Sequence, residues 1–430
     1  MKLLDITLQN FRNFENYNLS LGKKTTVFIG RNGTGKTNII EAMVQSLSFI
    51  FSKQRDTPQY EFIRSTDQKV KSFNATDPRF ANGDYTYPIS IKVNASIANA
   101  PISWSFEQET GKSGLKDSTF RKAYHLFWEH YKSDEKPLLA FFSDGFPHKN
   151  TNLGNRMKEK LGSGNPLPAN DGYYQWDKEQ SCVNIWKTYF VQQWINNRLN
   201  HDDEKEKFVS KINKKLHDFS LPINSSNISN EFVIEELFVE KRIDDTLMIR
   251  FEDGSIKPFD SLPAGYERIY SIVLDLASRS YLLNKHTDPD GIVFIDEIEL
   301  HLHPSLAAEV LTRLQNTFPY IQFIVSTHSP LVISNFNQIS EQEDDFRLIN
   351  LYKTDGGGYS NRIIEDIYGL DYSSSLVNIM DTQESEQYED ELIKVYQYWV
   401  KKDLEKSKRI AELIRQKYGS TSPIIEKLGL

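Results

Sequence analysis

Gly30, Arg31, Asn32, Gly33, Thr34, Gly35, Lys36 and Thr37 follow directly on the apolar run Thr25 to Ile29. They lead into Ile39, Ile40, Met43, Val44, Leu47 and Ile50, apolar positions at helical spacing. Strand, glycine-rich loop and helix in that order are the context a phosphate-binding loop requires. The glycines let successive backbone N–H groups converge on phosphate oxygens, Lys36 neutralises the β and γ oxygens, and Thr37 offers a hydroxyl to a magnesium ion.

A second stretch far along the chain complements the first. Ile292, Val293, Phe294 and Ile295 end in the adjacent carboxylates Asp296 and Glu297, which reads as a buried parallel strand with charge at its carboxyl end, where ligands sit in open α/β sheets. Asp296 is placed to hold the metal and Glu297 to orient and deprotonate an attacking water. One strand later Ile321 to Val325 is followed by Ser326, Thr327, His328, Ser329 and Pro330, so His328 is expected to reach a γ-phosphate. His301 and His303 share a face only if their segment is extended, and no third ligand stands nearby. A structural or dimer-contact role is preferred for them over metal binding.

At 430 residues the chain has room for two domains, or one with a large insertion. No apolar run reaches the roughly 20 residues of a membrane helix, and the alternating Leu4, Ile6 and Leu8 read as a strand rather than a signal peptide. A soluble, cytoplasmic protein without a membrane partner is expected. The single cysteine, Cys182, excludes an intramolecular disulfide framework and reads as a small filler residue. The net charge of -8 argues against a generic polyanion-binding surface, so contact with nucleic acid needs a local basic patch or a partner.

Four segments are expected. Residues 1 to 145 form an N-terminal lobe with the phosphate loop. In it, residues 3 to 9 make a strand, Asn10 to Phe14 a turn, and a second strand starts at Leu19. Ile89 to Ile97 pairs with Ile102 to Phe106 through a turn at Asn99, Ala100 and Pro101. Leu138 to Phe142 is a buried strand ending in the polar Ser143, Asp144 and Gly145. Residues 146 to 230 form a helical insertion whose aromatics, Tyr173, Tyr174, Trp176, Trp186, Tyr189, Phe190 and Trp194, favour packing over base stacking. His201 to His217 reads as a solvated helix face.

Residues 231 to 367 form the C-terminal lobe: a hairpin of Phe232 to Val239 and Leu247 to Phe251 around Asp244 and Asp245, a long helix opening at Gly265, and strands to a turn at Gly356, Gly357 and Gly358. Pro263 and Gly265 ahead of that helix mark a potential anion site. Residues 368 to 430 form a tail of two amphipathic helices, near Tyr388 to Val400 and Leu404 to Tyr418.

Leu8 to Phe14, the loop at Gly30, the helix at Gly265, Ile295 to Pro304 and Ser326 to Pro330 together resemble the ABC-type ATPases of the RecF, SMC and OLD group. The resemblance implies an α/β, ABC-type P-loop NTPase head with an antiparallel β lobe, an inserted helical region and a C-terminal helical tail. It implies ATP and Mg2+ as cofactors, and nucleotide contacts from Arg12, Asn32, Gly33, Thr34, Gly35, Lys36, Thr37, Asn38 and, across a dimer or higher oligomer, Gly265. Thr37 and Asp296 would serve the metal; Glu297, His328 and Lys36 would be catalytic. In that group a serine usually stands two places before the signature glycine. Pro263 occupies that position here, with neither hydroxyl nor backbone N–H, so slow or partner-dependent hydrolysis is expected. The overall plan, with the stretch Gly369 to Met380, is similar to ATPase subunits of bacterial anti-phage systems, above all Septu and its retron-associated relatives, with PARIS-type ATPases next. That likeness implies a separate nuclease partner, an HNH protein in Septu, and nucleic acid reached through the complex. A RecF-like repair ATPase and an ATP-bound assembly scaffold are the alternatives.

Overall fold

The computed structural model describes residues 1–55, 57, 59–66, 68–116, 118–131, 135–145, 154–178, 183–200, 203–223, 232–241, 245–334, 344–354, 357–364, 396, 398–400 and 404–418. Cys182, His201, Asp244, Gly356, the stretch Gly369 to Met380 and the first tail helix as far as Val395 lie outside the described residues.

In chain order, β1 (Lys2–Phe11), β2 (Phe14–Ser20) and β3 (Thr25–Ile29) precede α1 (Lys36–Leu47) and α2 (Tyr60–Ser65). Next come β4 (Phe80–Ala81), β5 (Asp84–Tyr85), β6 (Ile89–Ile97), β7 (Ala100–Gln108), α3 (Ser118–His130) and β8 (Leu138–Phe142). The insertion supplies α4 (Asn155–Gly162), α5 (Val183–Asn200) and α6 (Asp203–Ser220). Then follow β9 (Ile234–Glu240), β10 (Thr246–Phe251), β11 (Ile256–Pro258), α7 (Ala264–Asn284), β12 (Gly291–Ile295), α8 (Pro304–Thr317), β13 (Ile321–Ser326), α9 (Pro330–Ser334), β14 (Phe346–Lys353) and β15 (Tyr359–Ile364). The chain divides into two compact units, Met1–Tyr372 and Ser373–Leu430, and the described part of the second holds α10 (Leu404–Tyr418).

The organising layer is a six-stranded sheet in the order β15-β14-β3-β13-β12-β8. All its neighbours are parallel except the edge strand β15. Every residue of β3, β8, β12 and β13 is buried, as expected for parallel strands covered on both faces. Their carboxyl ends bring together the loop at Gly30, Ser143 and Asp144, Asp296 and Glu297, and Ser326 to His328. This is the edge at which α/β sheets bind ligands.

An antiparallel sheet, β2-β1-β6-β7, forms the accompanying lobe. Its second strand starts at Phe14 rather than Leu19, because Phe11 pairs with Phe14 across a two-residue turn at Arg12 and Asn13. The turn between β6 and β7 is Ala98 and Asn99, with φ of 46° and 67°, and Ile97 pairs with Ala100. Positive φ at both central residues matches the twist of a tight hairpin, which places Ala100 and Pro101 inside β7 rather than in the turn.

The aromatic insertion is packed. Tyr173, Trp176, Trp186, Tyr189 and Phe190 are buried, and so are Phe208, Ile212 and Leu216 of α6. Thus α6 is core on one side and solvated only on the other, a correction to the purely solvated reading. The helix α7 is buried almost throughout and carries a charge pair inside the core. Arg279 binds Asp275 one turn away, Trp186 Nε1 donates to Asp275 Oδ2 at 2.6 Å, and Arg279 Nη1 donates to the carbonyls of Gly172 and Tyr174 at 2.9 Å each. Removing one member leaves a buried charge without its counter-ion. Arg279→Met is expected to lower stability by about 3 to 5 kcal/mol, read as an earlier urea unfolding midpoint, and Asp275→Leu in the same chain should recover much of the loss.

Candidate nucleotide-binding site

The phosphate loop is built by geometry that only its own sequence permits. Gly35 caps α1 with φ of 94°, and a Cβ there would stand 2.5 Å from the ring of Phe14, so a side chain is barred by both backbone and space. Phe14 opens β2, which fixes the loop against the antiparallel lobe. Thr34 Oγ1 donates to the Arg31 carbonyl at 2.9 Å and closes the turn. Lys36 is buried, with its ammonium donating to the carbonyls of Gly30 at 2.7 Å and Arg31 at 3.2 Å. Burial pushes its pKa down, against the opposing pull of Asp296, Glu297 and Glu299.

Asp296 is 4 % exposed and accepts two hydroxyl hydrogen bonds, from Thr37 to Oδ2 at 2.7 Å and from Ser326 to Oδ1. Thr37 and Asp296 therefore meet although 259 positions separate them. A hydroxyl and a carboxylate are hard oxygen donors of the kind magnesium takes, so the residues present fit that ion. Among the described residues no group of three or more His, Cys, Asp or Glu could hold an ion. The remaining positions around a magnesium ion here would fall to water and phosphate oxygens.

Glu297 has φ of 49° and is held at both ends of its peptide unit. Its N–H donates to Ser326 Oγ at 2.8 Å, and its carbonyl accepts from Arg268 Nη1 at 2.7 Å. Burial raises the pKa of its carboxyl, helped by Asp296, Glu299 and Asp144. A raised pKa suits a group that accepts a proton from water. The half-buried His328 has its pKa lowered by burial and by Lys36, which favours the neutral imidazole. Its backbone N–H donates to Glu299 Oε1.

Asn13, Asn32, Gly33, Gly35, Lys36, Thr37, Asn38, Asp296, Glu297 and His328 line one cleft of about 250 Å³. Thr34 stands under it as a loop brace. Two expected residues lie elsewhere. Arg12 pairs with Glu41 and with Asp77 at 3.1 Å, and lines a neighbouring cavity, touching the cleft only through Asn38 Oδ1 at 2.9 Å. Gly265 does not line the cleft of its own chain. It lies buried at the start of α7, where a Cβ would stand 2.2 Å from the His301 carbonyl, while Pro263 and Ala264 are exposed. His303 caps α8, its Nδ1 accepting from the Ser305 N–H at 3.4 Å, and His301 is exposed with φ of 63°.

Sequence reasoning missed Asn13, Glu299 and Arg268. Arg268 is 1 % exposed and donates to the carbonyls of Asp296 at 2.9 Å, Glu297 at 2.7 Å, Ile298 at 3.2 Å and Ser143 at 3.5 Å. A charged residue within the apolar face of a long helix was the available signal.

The chain is similar to several known proteins. The Retron Vc95 probable ATPase of Vibrio cholerae serotype O1 biovar El Tor is 26% identical over 96% of this chain and 86% of its own length. The Septu protein PtuA of Bacillus mycoides is 35% identical, over 29% of this chain and 18% of its own. The SMC head domain from Thermotoga maritima, 13% identical with a TM-score of 0.45, aligns over 85% of this chain and all of that one. The family model described as "AAA domain, putative AbiEii toxin, Type IV TA system" matches residues 25–334, from β3 through α9, and the chain belongs to that family.

Proposed function

We propose that the chain binds ATP with Mg2+ and hydrolyses it in an ABC-type cycle, two copies sandwiching the nucleotide, and that this cycle controls a separate effector nuclease in anti-phage defence. The observation that carries the reading is the 2.7 Å contact between Thr37 and Asp296, with Lys36, Glu297 and His328 around the same cleft. The loop N–H groups and Lys36 would hold the phosphates, and Asn13, Asn32 and Asn38 would add neutral polar contacts. Magnesium, bound beside Thr37 and Asp296, would draw charge from the β and γ oxygens. Glu297 would take a proton from the attacking water, and the neutral ring of His328 would hydrogen-bond the γ-phosphate.

A second copy enters because Gly265 does not line its own cleft while the N-terminal end of α7 is exposed at Pro263 and Ala264. The positive helix end favours an anion there, so the nucleotide of a facing chain is the natural occupant. The relatives named for retrons and Septu support the defence role, and the effector is proposed from that likeness.

Glu297→Gln is expected to bind ATP normally while turnover falls by about 10² to 10⁴, and ATP-dependent dimers should accumulate in size-exclusion chromatography. Failure to dimerise with ATP would remove the sandwich. Pro263 precedes α7 with no side-chain cap hydrogen bond. Pro263→Ser restores a hydroxyl and an N–H at that point and should raise turnover; an unchanged rate would take the restraint away from this position. Co-purification of the full chain with the product of its neighbouring gene, set beside a chain ending at Ile367, tests the effector and its docking. Capture of a nuclease by the full chain and its loss on truncation are expected, and equal capture by both would exclude the tail.

A further inference from the structure

We propose that Glu299 is a positioning residue for His328, its carboxylate holding in place the loop that carries the histidine into the cleft. The contact stands on geometry alone, and its consequence for turnover rests on the ATPase reading above.

The loop after β12 and the loop after β13 are stitched together in register. Glu297 N–H donates to Ser326 Oγ at 2.8 Å, Ile298 N–H to the Ser326 carbonyl at 3.1 Å, and His328 N–H to Glu299 Oε1 at 2.5 Å. Of these three, the last ends on a carboxylate. Thr327 N–H still reaches a backbone carbonyl, that of Phe28 at 3.0 Å, whereas beyond the end of β13 the His328 N–H is held by a side chain. A carboxylate acceptor makes this a charge-assisted bond, stronger than its neutral equivalent. The turn that delivers the carboxylate is itself fixed, with Leu300 N–H donating to the Glu297 carbonyl at 3.0 Å and Leu302 N–H to the Glu299 carbonyl at 2.9 Å.

The second carboxylate oxygen shows that packing alone does not explain the residue. Glu299 Oε2 is buried and has no hydrogen-bond partner among the described residues. A buried acceptor left unsatisfied is costly, and a smaller polar residue would avoid that cost. Glu299 reaches further than such a residue, spanning from the loop of Asp296 and Glu297 to the backbone of His328. His328 lines the cleft, so what holds its backbone sets the point from which its ring would meet a nucleotide.

Two substitutions separate holding from charge. Glu299→Gln keeps an oxygen that accepts the His328 N–H; Glu299→Ala removes it. With full-length protein and Mg·ATP, Glu299→Ala is expected to lower kcat about tenfold, the loss of one hydrogen bond to a charged group, with KM within about twofold. Glu299→Gln should recover most of that rate, and His328→Ala combined with Glu299→Ala should lose no more than His328→Ala alone. Hydrogen–deuterium exchange of the peptide spanning His328, followed without nucleotide, should accelerate in the alanine variant and not in the glutamine variant. Equal exchange in wild type and Glu299→Ala would overturn the proposal. So would a glutamine variant as impaired as the alanine variant, or losses that add to those of His328→Ala. If the wild-type chain turns over no ATP, the ATPase reading fails and the exchange measurement still decides the contact.

Discussion

The guanidinium of Arg268 is the interaction on which the site depends. Its N–H groups converge on the carbonyls of Asp296, Glu297, Ile298 and Ser143, the residues that leave the carboxyl ends of β12 and β8. Two sheet strands and α7 therefore end at one buried cation. Burial drives its pKa down to about 10, so it is still charged at neutral pH, and the carbonyl dipoles take over the solvation that water would give. Glu297 sits at a positive φ that costs a residue with a side chain on the order of 1 to 3 kcal/mol. The bonds to its carbonyl and its N–H hold that conformation, which turns its carboxyl into the cleft.

The same helix has other attachments. Near its start Gly265 allows the His301 backbone to approach, and Glu267 pairs with Lys187 of α5 at 3.6 Å. Farther along, Asp275 and Arg279 tie it to Trp186, Gly172 and Tyr174. The inserted helices, the exposed end of α7 and the loop of Asp296 and Glu297 are thus parts of one packed assembly. Close-packed interiors transmit displacement instead of absorbing it.

Legibility in the sequence followed the range of the interactions. The phosphate loop could be read because its chemistry is local: a strand, glycines where a Cβ is excluded, and a helix opening at Lys36. Asp296 and Glu297 could be read because β12 is buried along its whole length, so the first polar residues after it mark the strand end. Arg268 and Glu299 could not. Their partners lie 125 positions away at Ser143 and 29 positions away at His328, so a charge on the apolar face of α7 marks Arg268 as unusual without naming what it binds. Arg12, expected near the nucleotide, has its guanidinium on Glu41 and Asp77, and it is Asn13, next in the chain, that lines the cleft.

Charge balance then constrains how a nucleotide enters. Asp144, Asp296 and Glu299 all act on Glu297, and Lys36 opposes them. Arg268 is spent on carbonyls behind the loop, and Arg12 is held by carboxylates outside the cleft. A polyphosphate brings further negative charge to a place already rich in carboxylates, and at a few ångströms in a partly desolvated site such repulsion is several kcal/mol in order of magnitude. A divalent cation, which Thr37 and Asp296 would hold, would supply the positive charge that offsets that repulsion. On the proposed function the cleft would suit a nucleotide carrying its cation, and the Thr37 to Asp296 contact joins the two halves of the site where that ion would be held.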